Sequence, residues 1–414
     1  MKILIVGGGS GGHITPAVAV VHEILALAPR AVLEFWTDKK YYKNVVKLTT
    51  ELGVSWGGSD KANAGRTGQY IRVRKISAGK FRRYSGWKFA DYFSNIGFTL
   101  REIVWGNIKG FCGFVFGLFQ AFFWLFRKNS RPDVIFLKGG FVSLPVGLVA
   151  RLFHIPYVIH ESDAAAGLAN RILSKKATKI ALGFESDNFM REARFIVTGI
   201  PVGEEFAKVS ESRQRTLKRA AGFDPERPLV MITGGSQGSL HIDEAVREIL
   251  PEMLKFSSVG LVAGRAHYEE MVDLKKYEEW DKAKLQSNFR IWEFSTVMNE
   301  LLGAADVVVS RAGATTIAEL ASLKKAVVLV PFEKLPGSHQ VKNAEKLAEA
   351  GAAEVVLDEK MVQQPGILLE KVRNLVRSPK KRELLAANLH ELARPDAAKD
   401  LAEIIIGVGK GGKK

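Results

Sequence analysis

His13 is the residue near the start of the chain best suited to move a proton, because imidazole alone among side chains has an ordinary pKa close to neutrality. It closes the loop Gly7-Gly-Gly-Ser-Gly-Gly-His13, which follows the β-branched run Lys2–Val6 and opens an apolar helical pattern from Ile14. A strand that breaks into glycines and resumes as a helix presents backbone N–H groups and the positive end of a helix dipole, a setting for an anion such as phosphate. The same break recurs where Val134–Leu137 runs into Lys138-Gly-Gly-Phe-Val-Ser-Leu-Pro145, and where Leu229–Ile232 runs into Thr233-Gly-Gly-Ser-Gln-Gly-Ser239. Glu161 and Asp163 follow the strand pattern Tyr157–His160, and ligands of open parallel sheets bind at that end of a strand. Asp163 reads equally as a helix N-cap.

Further on, Ser310-Arg-Ala-Gly-Ala-Thr-Thr-Ile-Ala-Glu319 follows a buried strand pattern, and its small residues permit a diphosphate to approach the helix amides. Glu319 lies deeper in that helix, within reach of ribose hydroxyls. Gln340 and Asn343, three apart, share one helical face after the next strand. Each has a plainer reading: a loop-closing histidine, an exposed helix acid, a solvated helix start.

The first loop alone also fits the GxGxxG dinucleotide pattern through Gly7, Gly9 and Gly12, with Glu34 or Asp38 as the ribose acid, so an NAD-dependent oxidoreductase is a competing reading. Three glycine loops point instead to two nucleotide-type folds. The elements fit that view. Val32–Trp36 reads as a second strand and 39–52 as a helix. After the Gly- and Pro-rich turn at Thr198–Gly203, strands near Val230, Val259, Phe289, Val307 and Ala326 alternate with helices as a second doubly wound sheet requires. The class is α/β, with two doubly wound domains facing across a cleft.

At 414 residues, 47% of them apolar, the chain is too long for one ordinary core and is not disordered. One cysteine, Cys112, excludes an internal disulfide, and with no signal-peptide pattern at the N-terminus the expected location is cytoplasmic. A net charge of +16 calls for a polyanionic partner: nucleic acid, an anionic membrane or a phosphorylated substrate. Much of this charge falls on Arg66, Arg72, Arg74, Lys75, Lys80, Arg82, Arg83 and Lys88, read first as a solvated loop face. The aromatic run Gly110–Phe126 follows, bounded by Lys109, Arg127 and Lys128. It falls short of the ~20 residues that span a bilayer and contains Gln120, so it reads first as a buried helix, second as an interfacial one and last as a span.

The ordered set GGGSGGHITP from Gly7, KGGFVSLP from Lys138, HESDAAAGLANRIL from His160, TGGSQGS from Thr233, SRAGATTIAEL from Ser310 and HQVKNAEKLAEAGAA from His339 resembles the MurG family. These are the UDP-N-acetylglucosamine:lipid-linked muramyl-pentapeptide N-acetylglucosaminyltransferases of peptidoglycan synthesis. The likeness covers nearly the whole chain. It implies a glycosyltransferase B fold of two Rossmann-like domains: 1–202 for the acceptor and the membrane, 203–394 for the UDP-sugar, and a helix in 395–414 returning to the first domain with a basic tail. It also implies a peripheral enzyme on the cytoplasmic face of the plasma membrane. The partners would be UDP-N-acetylglucosamine, lipid I (undecaprenyl-pyrophosphoryl-muramyl-pentapeptide) and an anionic membrane surface, with no nucleic acid.

Carried over position by position, the resemblance puts Ser10, Gly11 and Gly12 near the donor, Ser236 at the diphosphate and the backbone of Ser295 at the uracil. Ala314, Thr315, Thr316, Ile317, Ala318 and Glu319 would hold diphosphate and ribose, and Gln340 and Asn343 would orient the sugar. His13 is the implied base. Two positions depart from the family pattern. Asp163 stands where many members have Asn and cannot donate as an amide does, and Gly203 stands where they have Arg, which removes a cation.

The expected reaction is inverting attack of an acceptor hydroxyl on the donor's anomeric carbon. It needs a base, stabilisation of the leaving diphosphate and exclusion of water. The helix N-terminus near Ala314 would meet the second need without a metal or other cofactor, and no DxD-type pair sits on either glycine loop. A glycosyltransferase acting on another lipid such as diacylglycerol would share every donor motif, and a non-catalytic membrane or nucleic-acid binder would share the charge.

Overall fold

The computed structural model describes residues 1–51, 55–56, 70–79, 105–128, 131–163, 166–185, 193–235, 238–264, 267–272, 287–333 and 338–411. The chain divides into two compact units, one formed by Met1–Gly203 with Arg394–Lys414 and the other by Glu204–Ala393.

The first unit is built on a parallel sheet of β1 (Lys2–Val6), β2 (Val32–Thr37), β3 (Ser55–Trp56), β4 (Tyr70–Lys75), β5 (Val134–Leu137), β6 (Tyr157–Glu161), β7 (Lys179–Leu182) and β8 (Phe195–Val197), in the order β3-β4-β2-β1-β5-β6-β7-β8. The central strands are continuous apolar runs because both faces are covered. On one face the helices Gly11–Leu27, Tyr42–Glu51 and Ala397–Gly411 share a core with Ile3, Ile5 and Phe35. On the other, Trp105–Phe126, Ser143–Leu152 and Leu168–Ser174 pack on Leu4, Val6, Ile135 and Leu137.

Among the described residues the second unit has six parallel strands, β9 (Leu229–Thr233), β10 (Ser258–Val262), β11 (Phe289–Trp292), β12 (Val307–Ser310), β13 (Ala326–Leu329) and β14 (Glu354–Val355), ordered β11-β10-β9-β12-β13-β14. Helices Leu240–Met253 and Gly366–Arg377 cover one face, and Met298–Ala304, Ala314–Ser322 and His339–Glu349 the other. In each sheet the chain runs outward from a central strand and then returns to that strand's other side. The β1/β5 and β9/β12 neighbours are therefore topological switch points, where open sheets bind ligands at the carboxyl ends of their strands.

Two expectations are corrected. Arg72, Arg74 and Lys75 are not on a loop face but on β4, where Ile71 and Val73 point into the core and Arg74 Nε lies 3.1 Å from Glu34 Oε1. Arg66, Lys80, Arg82, Arg83 and Lys88 lie outside the described residues.

The aromatic helix begins at Trp105 and has 22 residues, enough by length and composition to cross a bilayer, and it is not buried. Its protein-facing side is Gly110, Gly117, Ala121 and Leu125. A Cβ at Gly117 would come within 2.0 Å of the Ser77 carbonyl, so only glycine admits this approach. Gln120, whose polarity argued against a span, accepts a hydrogen bond from the Ser77 N–H at 2.7 Å. Small residues facing inward turn the large ones outward, and Phe111, Phe116, Phe119, Phe123 and Phe126 are each more than half exposed.

Candidate functional site

In the first unit, β1 ends beside β5, with Val6 paired to Leu137. Gly9 adopts φ +84° and Gly140 φ +73°, conformations that suit glycine. A Cβ on Gly140 would lie 3.1 Å from the Gly8 carbonyl and 3.4 Å from His13 Nε2, so the two glycine loops meet at the imidazole. Ser10 is the N-cap residue of the helix Gly11–Leu27, but its hydroxyl is not spent on the helix amides. It pairs with His13 Nδ1 at 2.7 Å and fixes the ring. With Nδ1–H donating to Ser10 Oγ, the Nε2 lone pair faces the second loop. Burial, and then the Lys138 charge, push His13 down to about 3, so the imidazole is uncharged at neutral pH.

The acids proposed for a nicotinamide ribose are occupied otherwise. Asp38 accepts from the loop's own Gly9 N–H at 2.6 Å and from Lys40 N–H at 2.8 Å, and Glu34 pairs with Arg74.

Lys138, at the end of β5, is 1% exposed, and its ammonium donates to Ser162 Oγ at 2.5 Å. Ser162 lies 3.4 Å from His160 Nδ1, and His160 Nε2–H donates to the Gly199 carbonyl at 2.9 Å. Burial pushes Lys138 down to about 8 against the opposing pull of Glu161 and Asp163. Glu161 is a loop organiser, accepting from Asp163 N–H (3.1 Å), Gly167 N–H (2.9 Å) and Asn170 Nδ2 (2.9 Å). Burial, and then Asp163, raise its pKa. Asp163 is half-buried and is not the N-cap of the next helix, a place taken by Gly167.

In the second unit, Thr233 is paired with Ser310 across the switch point. Ser310–Gly313 leads into the helix Ala314–Ser322, whose N-terminus has Gly313 and no capping side chain. The N-terminus of this helix, the positive end of its dipole, therefore follows directly on the carboxyl end of β12. Ala314 and Ile317 are buried, and Thr315, Thr316, Ala318 and Glu319 are half-buried. Burial, and then Glu205, push Glu319 up to about 8, which is not the behaviour of an exposed helix acid.

Neither Gln340 nor Asn343 is a merely solvated helix start. Gln340 Oε1 accepts from Phe332 N–H at 2.9 Å, and the buried Asn343 donates through Nδ2 to the Ala312 carbonyl at 3.2 Å. Both pin loops that follow strands. Ser295 sits past the end of β11, where its hydroxyl accepts from Val297 N–H at 3.1 Å. Ser236 lies outside the described residues.

Arg311 was not singled out from sequence, yet it gathers the loops of the second unit. Its guanidinium donates to Asp358 Oδ1 (2.5 Å), Ser239 Oγ (2.5 Å) and the Val330 carbonyl (3.1 Å). It lies 5.3 Å from the Phe332 ring centre. Lys138, Ser162 and Arg311 had one local signal, a polar residue directly after a buried strand.

Residues 67–182 match the glycosyltransferase family 28 N-terminal domain and residues 229–401 the glycosyltransferase family 28 C-terminal domain. With a nucleotide-type switch point in each unit, the chain is a glycosyltransferase. It is 32% identical over 377 residues, 90% of each chain, to the UDP-N-acetylglucosamine–N-acetylmuramyl-(pentapeptide) pyrophosphoryl-undecaprenol N-acetylglucosamine transferase of Lachnospira eligens. It is 31% identical to the transferase of the same name from Listeria welshimeri, over 99% of this chain and 100% of that one. The chain belongs to this family, the MurG family.

Among solved structures, Acinetobacter baumannii MurG has the same fold, with a TM-score of 0.64 at 22% identity, covering 98% of this chain and 99% of that one. The glycosyltransferase VinC in complex with DTDP aligns with a TM-score of 0.60 at 13% identity, over 99% and 100% of the two chains. The fold is that of the B-type glycosyltransferases.

Proposed function

We propose that this chain transfers N-acetylglucosamine from UDP-N-acetylglucosamine to lipid I, undecaprenyl-pyrophosphoryl-muramyl-pentapeptide, and so makes lipid II for peptidoglycan. The observation that carries the reading is near-full-length identity to transferases of that name. Uncharged His13, fixed by Ser10 at 2.7 Å, takes the proton of the acceptor sugar hydroxyl at Nε2. The hydroxyl oxygen bonds to the anomeric carbon of the donor as the bond from that carbon to the UDP oxygen breaks, and the configuration inverts.

Charge develops on the diphosphate, and the positive end of the helix Ala314–Ser322, which begins directly after β12, stabilises it. Glu319 accepts from ribose hydroxyls, the backbone of Ser295 meets the uracil, and Ser236 with Ser10, Gly11 and Gly12 approaches the diphosphate and sugar. Gln340 and Asn343 orient the sugar from the loops they pin. Asp163 serves as an acceptor where an amide would also donate.

The exposed phenylalanines of the helix Trp105–Phe126, with Lys109, Arg127 and Lys128 exposed at its ends, rest on the anionic membrane that holds lipid I. The enzyme is then peripheral, on the cytoplasmic face. The test is a donor screen with lipid I in detergent. Lipid II formation from UDP-N-acetylglucosamine alone among UDP-sugars supports the reading, and transfer to diacylglycerol in place of lipid I overturns it.

A further inference from the structure

Strands β9 and β12 are neighbours, with Thr233 paired to Ser310, so the chain leaves both at one point of the second sheet. From β9 it reaches Ser239 and enters the helix Leu240–Met253, and from β12 it passes Arg311 and Gly313 into the helix Ala314–Ser322. A diphosphate held at this switch point meets the positive ends of both helices, so its grip depends on how the two starts are placed relative to each other.

Arg311 ties that placement down twice. Its Nη2 donates to Ser239 Oγ at 2.5 Å, and the same oxygen is the N-cap acceptor for the Ile242 N–H at 3.4 Å. Its Nη1 donates to Asp358 Oδ1 at 2.5 Å, and the other Asp358 oxygen accepts at 2.6 Å from Nδ1–H of His241, the second residue of that same helix. A Cβ on Gly234 would come within 2.3 Å of the Ser239 nitrogen, so a shift of Ser239 is passed back to the start of the glycine loop. Nη1 also donates to the Val330 carbonyl at 3.1 Å, which joins the loop after β13 to the same guanidinium.

We propose that Arg311 is a positioning residue for the donor diphosphate, acting through Ser239 and through the Asp358–His241 pair to hold the two helix starts in register. The proposal rests on the reading that the second unit binds a UDP-sugar. The charge of Arg311 is already matched by Asp358, whose side chain is 3% exposed, so its contribution is placement and not attraction. Only a planar fork serves three acceptors in fixed directions. A lysine ammonium keeps the charge for Asp358 but is a point donor on a flexible stem, and it loses the register of Ser239 and Val330.

The test compares wild type with Arg311→Lys and with His241→Ala, the second at a side chain that is 40% exposed and carries little of the fold. Calorimetry at one fixed pH measures UDP and uridine. Arg311→Lys should bind UDP roughly tenfold more weakly and His241→Ala about threefold, with uridine, which lacks the diphosphate, changed by less than about twofold in both. His241→Asn keeps a donor for Asp358 and should restore UDP affinity. In the unliganded protein the amides of Ile242 and Asp243, which bond to the Ser239 hydroxyl and carbonyl, should exchange with solvent about tenfold faster in Arg311→Lys.

Full UDP affinity in Arg311→Lys would mean that the charge alone matters, and equal losses for UDP and uridine would mean a merely structural arginine. Either result overturns the proposal, as does unchanged exchange at Ile242 and Asp243. If the wild type binds no UDP, the reading of the donor fails, and the exchange rates still decide whether Arg311 holds the start of the helix.

Discussion

Glu319 permits a test in which pH reports on a single contact. Its carboxyl is pushed up from 4.5 to about 8, so at pH 7 only about a tenth of the free enzyme carries the carboxylate. Ribose hydroxyls donate to a carboxylate, so a donor that selects the ionised form binds with an apparent affinity reduced by the ionised fraction. UDP affinity of the wild type should therefore tighten about tenfold between pH 7 and pH 9. Glu319→Gln cannot ionise. It should bind UDP more weakly at pH 9 by ~1–3 kcal/mol, the cost of an unmatched buried partner, and its affinity should not vary over that range.

Calorimetry with UDP and with uridine separates the ribose contact from ionisation of the phosphates. The sign on stability runs the other way. A carboxyl raised in the folded state favours folding below its ordinary pKa, and that contribution is lost as pH rises through about 8. Glu319→Gln removes the loss. Because Glu319 is half-buried we take about half of the full linkage, ~2 kcal/mol, so the unliganded variant should melt roughly 4–8 °C above wild type at pH 8.5 and show no such gain at pH 5. Uridine affinity that stays flat in the wild type would remove Glu319 from the ribose site. A slope that persists in Glu319→Gln would move the titration to Asp243, also pushed up to about 8 by burial.

The remaining tests concern the base, the membrane face and the loop clamp. His13→Ala and His13→Asn should both lower turnover by roughly 10²- to 10⁴-fold with UDP affinity little changed, whereas a loop-closing histidine would tolerate Asn. Replacing Phe111, Phe116, Phe119 and Phe123 by Ser should abolish binding to anionic vesicles without lowering the melting temperature, since these rings are exposed. Wild-type vesicle binding should weaken with salt, by about 1 kcal/mol for each basic residue screened, and equal binding to neutral vesicles would leave the basic flanks without a role. Arg311→Met leaves the buried Asp358 carboxylate with His241 Nδ1, 2.6 Å from its other oxygen, so it should cost ~1–3 kcal/mol in urea unfolding, less than the ~3–5 kcal/mol of a buried charge left with no partner.

The features legible in the sequence share one physical origin. β1, β5, β9 and β12 are covered on both faces, so they must be unbroken apolar runs. The loops after them must turn sharply beside a neighbouring loop, so they must be glycine-rich. Such signals are local, and the switch-point loops could be found without coordinates. For the helix Trp105–Phe126, composition gives apolarity but not direction. The spacing of Gly110, Gly113, Gly117 and Ala121 does mark the face that meets the backbone of residues 77–79, and the aromatic content obscured it. β4 is obscured in the same way. Ile71 and Val73 alternate with Arg72 and Arg74 as a half-buried strand should, but the density of charge suggested a loop.

Lys138 and Arg311 are a different case. Their partners stand 24 residues away at Ser162, and 47 and 72 residues away at Asp358 and Ser239, so no window of sequence contains the pair. What a window does contain is a cation placed directly after a buried strand, where desolvation is costly unless a partner is waiting. Read as an energetic demand, that placement says a counter-group must arrive from a neighbouring strand's loop. In an open parallel sheet those loops converge at the switch point, so a charge at the end of a central strand identifies the site even when its partner is unknown.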